Sequence, residues 1–523
     1  MNTDTSRRGF IRGLAGAGFL GAAGGCMTCG EKGKIKLAVV GVGGKGYTDW
    51  TTMLATGMAE VVAFCDADAA IYRECIQRAK TDGFGDLSAI PFYTDYRKLL
   101  KDCGLLGVRA MTVSTPDHAH AAIAVQAMKQ GIHVYVQKPL VRTLWELKYF
   151  EETAKKHRVI VQMGNQGSSL TSMRRCTEVL QSGILGDVRE VHVWTNRAVW
   201  PQGYGVRDYV NGRGADGDPV RPGLDWNSWL GVARERPFLD RYPDGTKVYD
   251  PWNIGKNVYH KFTWRGFLDF GAGAFGDMAC HTMNLPFRGL ELADVTEAEC
   301  VQVSERNDLA FPAKSIVKLV YRERDSKVRP GVKLPAVTLF WYDGYDETKP
   351  GKSANKPASE LMPKWTREHG EVPNTGCLVI GSAGQVLMQD DYGGKCAIAL
   401  TDDEKFTDVF EHPVAKSVAH TIPYCDDGVA AVGPSSVEMK GLGDEHCAEF
   451  LRAIRGEGPV YEQTNSRCFS DIAYCVPQME GILVGVVAQQ VPGRHVWDTR
   501  TQRFGDDAAN RLLKPYIRKG WEF

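Results

Sequence analysis

Residues 35–46 of the chain have the sequence IKLAVVGVGGKG. The first half, residues 35–40, is a nearly continuous apolar run, which is typical of a strand buried on both faces of a parallel sheet. The second half is a G-x-G-x-x-G pattern with glycines at positions 41, 43 and 46. In this pattern the first glycine permits a tight turn, the second lets a pyrophosphate approach the backbone, and the third lets the next helix pack closely. The stretch therefore predicts a loop that cradles phosphates at a helix N-terminus.

A second apolar run, residues 60–65, ends at Asp66, which lies 25 residues beyond Gly41. A carboxylate at about this distance holds the ribose hydroxyls of a dinucleotide. The next residue is Ala67 and not an arginine that would accept a 2′-phosphate, so the sequence favours NAD over NADP. The predicted cofactor contacts in this part of the chain are Gly41, Gly43, Gly44, Gly46 and Asp66.

Strand-like and helix-like segments go on alternating after Asp66, which predicts parallel βαβ units. The predicted elements are a helix over 72–80, a strand over 109–115, a helix over 119–130 and a strand over 133–137. Ligands of such sheets bind at the carboxyl ends of the strands. Residues 115–120 (TPDHAH) and 137–139 (QKP) lie at these ends and are therefore candidates for the site.

The pattern changes after a strand-like run over 159–163, and an open, mostly antiparallel sheet with helices is expected in a second domain over 159–523. The fold class is thus α/β: a Rossmann domain over 34–158, followed by an α+β domain. Helical patterns over 443–454 and 469–489 are expected to return and pack on the first domain. Lys plus Arg and Asp plus Glu both number 63, and this balance argues against a nucleic-acid-binding protein.

The first residues of the chain resemble an export signal. Ser6 and the pair Arg7-Arg8 precede a Gly/Ala-rich apolar run, which is typical of a twin-arginine signal, here over 1–33. A periplasmic location is expected, and Cys26 is a candidate for a lipid anchor. Because this route carries folded proteins, a tightly bound cofactor could be loaded before export.

The chain has 14 cysteines, but their scatter does not suggest a disulfide framework. Cys65 and Cys103 lie in or beside apolar runs and are expected to be buried as small hydrophobic residues. No pair has the spacing of a zinc ribbon, and no metal is expected.

The two strand-end segments resemble the hallmark of the Gfo/Idh/MocA oxidoreductases, which runs Thr-Pro-Asn, two residues, His, a helix, then Gly-x-His-Val and Glu-Lys-Pro. The resemblance continues through residues 182–186 (SGILG) and 276–281 (GDMACH) to 496–498 (VWD), and so spans nearly the whole chain beyond the signal. The chain departs from the pattern at two positions, with Asp117 in place of Asn and Gln137 in place of Glu. It is also longer than typical members, with extra residues between Arg197 and Arg265 and between Arg322 and Pro373.

The resemblance implies roles for three residues. His281 would be the acid/base, Lys138 would bind and polarise the substrate hydroxyl, and Asp277 would orient the others. Taken alone, Asp277 and His281 could equally be a helix-surface pair or two ligands of a metal. The further cofactor contacts that the resemblance implies are Thr115, Pro116, His120, Lys138 and Asn165.

Some alternatives stay open at this point. Of His118 and His120, one is expected to be functional and one exposed, because residues two apart cannot share a helix face. Asn165 could contact nicotinamide or sugar, or it could cap its loop. Aromatic residues are dense between Trp194 and Trp264, where they could form a carbohydrate pocket or attach a long irregular segment to the core.

The expected function is a NAD(P)-dependent oxidoreductase that acts on a secondary hydroxyl of a sugar, polyol or glycoside. An alternative is a glycoside-cleaving enzyme that uses NAD transiently, and a second is a non-catalytic protein that binds sugar or dinucleotide. The resemblance also implies a homo-oligomer assembled through the C-terminal sheet.

Overall fold

The computed structural model describes residues 33–246, 257–346, 349, 352–423 and 439–523. The twin-arginine pattern and Cys26 lie outside these residues. In the described part the chain forms two domains, each built on one large sheet.

The first domain is a six-stranded sheet in the order β3-β2-β1-β4-β5-β6, with every pair of neighbours parallel. Its strands are β1 (Ile35–Val40), β2 (Ala59–Cys65), β3 (Phe92–Tyr93), β4 (Ala110–Val113), β5 (His133–Val136) and β6 (Val161–Met163). Its helices are α1 (Lys45–Ala55), α2 (Ala69–Thr81), α3 (Tyr96–Leu106), α4 (Asp117–Lys129) and α5 (Leu144–His157). The predicted parallel sheet is confirmed, and β1 is as apolar and buried as its sequence requires.

The boundary between the domains lies further along the chain than residue 158. Strand β6 begins at Val161 and pairs in parallel with β5, so it is the last strand of the first sheet. The change of periodicity that suggested the earlier boundary comes only after this strand. The first domain therefore extends to at least Met163.

The second domain holds a ten-stranded sheet in the order β16-β15-β14-β13-β7-β12-β9-β8-β17-β18. Its strands, with the separate hairpin β10-β11, are β7 (Val188–Trp194), β8 (Val295–Val303), β9 (Lys314–Tyr321), β10 (Arg324–Asp325), β11 (Lys333–Leu334), β12 (Val337–Gly344), β13 (Gly376–Gly381), β14 (Gly384–Met388), β15 (Cys396–Leu400), β16 (Thr407–Asp408), β17 (Arg494–Asp498) and β18 (Arg503–Phe504). Pairing is antiparallel except between β7 and β12, so the expected mostly antiparallel sheet is confirmed.

Ten α-helices accompany this sheet in the described residues. They are α6 (Thr171–Gln181), α7 (Tyr204–Arg213), α8 (Trp226–Leu230), α9 (Gly273–Thr282), α10 (Asn284–Gly289), α11 (Pro363–His369), α12 (Pro413–Ser417), α13 (Met439–Ile454), α14 (Ile472–Gln490) and α15 (Asp507–Asn510). Short 3₁₀ turns cover Gln166–Ser169, Thr263–Gly266 and Ser359–Leu361.

Helices α13 and α14 return to the first domain, as predicted. Phe450 and Leu451 of α13 are fully buried in the same apolar cluster as Trp50 of α1. Helix α14 contacts α5 on one side and strands β8 and β9 on the other. Among the described helices it is the one long and apolar enough to cross a membrane, but 78% of its apolar window is buried in the protein. Its composition is thus that of a core helix shared by both domains.

The insertion, defined as residues 197–265, has a hydrophobic core of its own. Its buried aromatic side chains pack together and against Phe267 and Phe270. They include Trp229, Phe238, Tyr242, Tyr259 and Trp264. For these residues, the interpretation that the aromatic rings attach the insertion to the core is confirmed. Tyr249 and Trp252 lie outside the described residues.

Candidate active site

The glycine-rich loop has the geometry that its sequence predicted. Gly41 has a φ of +83°, and a Cβ atom there would lie 2.4 Å from the carbonyl oxygen of Ser114 on the adjacent strand connection. At Gly46 a Cβ atom would lie 2.0 Å from the carbonyl oxygen of Gly41. Gly41 is therefore required for its turn and for its close contact with Ser114. Gly46 is required because α1 approaches the loop so closely. The first N–H groups of α1 are thereby aimed at the loop, as a phosphate site requires.

Asp66 lies at the carboxyl end of β2 and reaches back to this loop. Its Oδ2 accepts a hydrogen bond from the backbone N–H of Val42 (2.8 Å), and its Oδ1 accepts one from the N–H of Asp68 (3.0 Å). Burial raises the pKa of the Asp66 carboxyl. The side chain therefore joins the loop to the strand end where a ribose would lie.

Lys138, Asp277 and Arg265 form a partly buried ionic cluster beside the carboxyl ends of the first sheet's strands. The Lys138 ammonium donates to Asp277 Oδ1 at 2.7 Å, and the same oxygen lies 3.2 Å from Arg265 Nε. Burial opposes ionisation of Asp277, but these two cations outweigh it and hold its pKa well below the usual range. Asp277 thus orients Lys138, which is the role that the family resemblance implies.

His281 follows one turn after Asp277 on α9 and is 3% exposed. Its Nδ1 has no hydrogen-bond partner, and its ring meets the edge of Tyr392, with 4.7 Å between the ring centroids. Burial, strengthened by the nearby charge of Lys138, lowers the pKa of the imidazole well below its usual value. The lowered pKa favours the neutral form of the ring, in which one of its nitrogens is a hydrogen-bond acceptor. Asp277 and His281 are both buried, so the helix-surface alternative is wrong.

Asp117, at the start of α4, is a second buried carboxyl group near this cluster. It is 3% exposed, and its Oδ2 accepts a hydrogen bond from the backbone N–H of Ala272, at 3.1 Å. Burial raises the pKa of Asp117 to about 7, although the charge of Arg265 opposes the shift. The family pattern has Asn at this position, so the carboxyl adds a group that titrates near neutral pH.

Gln137 faces away from the Lys138 cluster, into a buried polar network behind it. Its amide donates to Asp49 Oδ2 (2.8 Å), which also accepts from the Ser114 hydroxyl (2.8 Å). The other oxygen of Asp49 accepts from Lys45 Nζ at 2.7 Å. A glutamate at position 137 would place a second carboxylate against Asp49. Gln137, where the family pattern has Glu, therefore suits the neighbouring Asp49.

The two histidines of the TPDHAH segment are both fully buried, so the expectation that one is exposed is wrong. His118 Nε2 lies 3.0 Å from the carbonyl oxygen of Trp229 in the insertion. His120 lies between the carbonyl oxygens of Thr115 (2.9 Å) and Pro139 (2.8 Å). Because both of its nitrogens contact backbone oxygens, His120 holds the two strand-end segments together. Its assignment as a direct cofactor contact stays a prediction, as does that of Pro116.

Asn165 follows β6 at the same edge of the sheet. It is fully buried, and neither its amide nitrogen nor its amide oxygen has a partner within the protein. It makes no side-chain capping bond to the following 3₁₀ turn, which removes the capping alternative. The hydroxyl of Thr115 is likewise buried and unpartnered. Such groups are expected where a ligand supplies the missing hydrogen bonds, and they fit a dinucleotide at this edge.

Sequence reasoning did not identify two cationic residues of the cleft. Arg265 contacts Asp277 directly, and Arg197 lies close enough for its charge to lower the pKa of His281. These arginines bound the insertion, far from Lys138 in the chain, and no motif marks them. In the described residues no group of three or more His, Cys, Asp or Glu side chains is arranged to hold a metal ion. Cys65 and Cys103 are buried and free, as predicted.

The glycine-rich loop, the carboxylate after β2 and the parallel sheet define a dinucleotide-binding Rossmann domain. Residues 35–165 match a family model described as "Oxidoreductase family, NAD-binding Rossmann fold". This match agrees with the resemblance of the chain's motifs to the Gfo/Idh/MocA oxidoreductases.

Curated relatives match over a similar length of chain. Glycosyl hydrolase family 109 protein 2 of Akkermansia muciniphila is 29% identical over 160 residues, which cover 30% of this chain and 33% of that protein. Inositol 2-dehydrogenase 1 of Saccharopolyspora erythraea is 32% identical over 161 residues, which cover 30% of this chain and 44% of that protein. The chain thus matches less than half the length of these relatives.

Solved structures match over most of the chain. An inositol dehydrogenase homolog of Azotobacter vinelandii, complexed with NADH and myo-inositol, has a TM-score of 0.52 at 17% identity and covers 88% of this chain and 96% of its own. A levoglucosan dehydrogenase in complex with NADH and levoglucosan has a TM-score of 0.51 at 15% identity, with coverages of 88% and 99%. At these identities the likeness shows that the two-domain fold is shared.

Proposed function

We propose that the protein is a NAD-dependent oxidoreductase that acts on a secondary hydroxyl of a sugar, polyol or glycoside. The observation that carries this proposal is the placement of Lys138, Asp277 and His281 at the edge of the sheet where the glycine-rich loop lies. The names of the matched inositol and levoglucosan dehydrogenases support the substrate class.

His281, Lys138 and Asp277 would each have a different role in the reaction. A bound nicotinamide would take up hydride from the carbon that bears the hydroxyl. His281, which is neutral, would accept the hydroxyl proton, and the Lys138 ammonium would stabilise the negative charge that develops on the oxygen. Asp277 keeps Lys138 in place through the 2.7 Å ion pair. Gly41, Gly43, Gly44, Gly46 and Asp66 would hold the dinucleotide, with Thr115 and Asn165 completing its hydrogen bonds.

Two features support NAD over NADP. Ala67 follows Asp66 where an arginine would accept a 2′-phosphate, and Asp68, 5% exposed, adds a second carboxylate at the same end of β2. Two negative side chains would repel a phosphate on the ribose. Titration with NADH and NADPH, followed by nicotinamide fluorescence, is expected to show tighter binding of NADH.

The decisive experiment uses purified protein and a panel of sugars, polyols and glycosides. Nucleotide released on denaturation is quantified before and after incubation with each compound. Reduction of bound NAD with formation of an oxidised sugar would establish the oxidoreductase. Binding of NAD and sugar without any conversion would instead identify a non-catalytic binding protein.

Variants of the two reacting groups give a sharper test. Lys138→Ala and His281→Ala are each expected to lower turnover by about 10²-fold or more, the usual cost of losing a positioned acid or base. Lys148→Ala, on helix α5, is the matched control and should react like the wild type. Near-normal hydride transfer in either active-site variant would show that the assigned roles are wrong.

A second candidate is a glycosidase that oxidises a hydroxyl, eliminates the glycosidic bond and then reduces the product again. The names of the matched glycosyl hydrolase family 109 proteins support it. This cycle returns the cofactor to NAD, so free sugar accumulates while the nucleotide stays oxidised. Release of an aglycone without net formation of NADH would favour it over the dehydrogenase.

We also propose that the protein is exported by the twin-arginine route to the periplasm, with the cofactor bound before export. The support is the sequence Ser6-Arg7-Arg8 before a Gly/Ala-rich apolar run, and Cys26 is a candidate for lipid attachment. Replacing Arg7 and Arg8 by lysine is expected to leave the protein in the cytoplasm. Radiolabelled fatty acid on the wild type but not on Cys26→Ser would identify an anchor.

Finally, we propose a homo-oligomer formed through the ten-stranded sheet. Alternate residues of β9 and β12 pack inward, while Ile316, Val320 and Phe340 lie on the opposite face and are half-buried. A second copy would cover this face, on which Lys314 and Lys318 alternate with the apolar residues of β9. Sedimentation of the wild type and of Phe340→Lys should show dissociation only in the variant.

A further inference from the structure

The insertion contacts the first domain at the carboxyl end of β2, beside Asp66. The backbone N–H of Ala69 donates to the carbonyl of Gly223 (2.9 Å), and the N–H of Asp225 donates to the carbonyl of Ala67 (2.8 Å). Main-chain hydrogen bonds thus join the two segments in both directions. This end of β2 is where the adenosine ribose of a dinucleotide would lie in a Rossmann domain.

His260 reaches the same place from a later part of the insertion. Its Nε2 lies 3.1 Å from Asp68 Oδ2, and the side chain is 7% exposed. Its charge, when protonated, lowers the pKa of Asp66, so the imidazole lies near the predicted ribose carboxylate. Its Nδ1 is buried and has no partner. A buried polar atom without a partner is costly, and it is expected where a ligand supplies the bond.

We propose that two described segments of the insertion form a clasp over the adenosine half of the dinucleotide site and that His260 is a cofactor-binding residue within it. The clasp consists of residues 221–232 and 257–264. With Nε2–H donating to Asp68, the neutral ring presents Nδ1 as an acceptor for a ribose hydroxyl. The inference rests on the proposed function and extends it, because a clasped cofactor dissociates slowly and is reused from one turnover to the next.

The clasp is fixed to the rest of the molecule on two further sides. On the side of α4, His118 Nε2 contacts the carbonyl of Trp229 at 3.0 Å, and the Trp229 ring lies against His260. On the side of the C-terminal segment, Arg518 donates from Nε to the carbonyl of Gly231 (2.9 Å) and from Nη2 to that of Asn227 (2.7 Å). Opening the clasp therefore requires several buried hydrogen bonds to break together, which predicts slow release.

The test measures dissociation of NADH from purified protein. Protein loaded with NADH is mixed with an excess of NAD, and the loss of nicotinamide fluorescence gives the dissociation rate. His260→Ala is expected to release NADH at least ten-fold faster than the wild type. Asp68 caps α2 by accepting hydrogen bonds from the backbone N–H groups of Ala70 and Ile71. Asp68→Asn keeps an oxygen for this cap but removes the negative charge beside His260. This variant is also expected to release NADH faster.

His495→Ala is the matched control. His495 is 3% exposed and lies 2.8 Å from Asp506, which caps α15 just as Asp68 caps α2. It lies outside the clasp, so its loss should leave the release rate unchanged. The clasp would be overturned if His260→Ala and the wild type released NADH at equal rates. It would also be overturned if both histidine variants released NADH equally faster, or if the wild type exchanged its NADH within a second. A wild type that binds neither NADH nor NAD would overturn the proposed function itself.

Discussion

Asp117 is a buried carboxyl group whose pKa burial raises to about 7. The unfolded chain has a pKa of about 4 for this group, so its contribution to stability is present below pH 4 and is lost as the pH rises toward 7. Asp117→Asn keeps an acceptor for the Ala272 N–H but cannot ionise. The variant is expected to gain thermal stability relative to the wild type as the pH rises from 4 to 8, by about 1.4 kcal/mol per unit of pKa shift.

Thermal unfolding of both proteins across this range checks the prediction. The groups whose charges act on Asp117 are Asp277, Lys138 and Arg265. Asp277→Asn serves as a control that should differ from the wild type by a nearly constant amount across pH 4 to 8, because the pKa of Asp277 is lowered and its contribution to stability is lost only below about pH 4. A constant difference between wild type and Asp117→Asn at every pH would mean that Asp117 does not titrate between pH 4 and 8.

Gln137 and Asp49 are a matched pair, joined by the 2.8 Å hydrogen bond. Gln137→Glu restores the family residue but sets two buried carboxylates against each other, and it is expected to cost about 3 kcal/mol or more of unfolding free energy. Asp49→Asn in the same chain would supply an amide and should restore much of the loss. Denaturant unfolding of the two single variants and the double variant forms a cycle. Additive effects would show that the residues do not interact.

Several residues of the site could be predicted from sequence because their types recur at fixed spacing. Lys138, Asp277 and His281 belong to segments whose order and spacing match a family pattern, and the structure brings them together. Arg265 and His260 belong to the insertion, which the pattern does not cover. Their places depend on how that segment folds back, so spacing along the chain carries no information about them.

At the scale of the element, the glycine-rich turn and α1 form one unit. A Cβ atom at Gly46 would lie 2.0 Å from the Gly41 carbonyl oxygen, so Gly46→Ala must displace α1 from the loop. The variant is expected to lower the melting temperature and to weaken NADH binding by at least ten-fold. Gly104→Ala is the control, since Gly104 lies within helix α3 with no atom within 4 Å of its Cβ position. This change should raise the free energy of unfolding by up to about 1 kcal/mol. A melting temperature of Gly46→Ala above that of Gly104→Ala would contradict the close packing of α1 on the glycine-rich loop.

Elements with strong periodicity were predictable, while their ends and partners were less so. The apolar run of β1 identified a doubly buried strand. Strand β6 has three residues and pairs with β5, with Val161 opposite Val134. Nothing in a run this short indicates which sheet it joins, so the domain boundary was set too early.

At the scale of the whole molecule, the two domains share their cores. Phe450 is fully buried against α1 in the cluster that supports the glycine-rich loop, although it lies in the C-terminal part of the chain. Phe450→Ala is expected to cost about 3–5 kcal/mol and to weaken NADH binding as well. Calorimetry of the wild type should show one transition, which NADH shifts as a unit. Two separate transitions would mean that the domains unfold independently.

The ten-stranded sheet could be predicted as a class of fold but not as an order of strands. Its segments alternate in polarity, as half-buried strands do, yet β7 lies between β12 and β13, which follow it by more than 140 residues. Pairing over such distances depends on tertiary packing. The family resemblance supplied the architecture that local pattern alone left open.

The position of α13 also governs when the first domain can be completed during synthesis. Phe450 and Leu451 fill its core, so more than 400 residues beyond β1 must leave the ribosome before that core is closed. A nascent chain that has made only the six-stranded sheet still exposes the apolar surface of α1. The nucleotide site is therefore expected to become competent to bind only once α13 has been synthesised and has packed against α1.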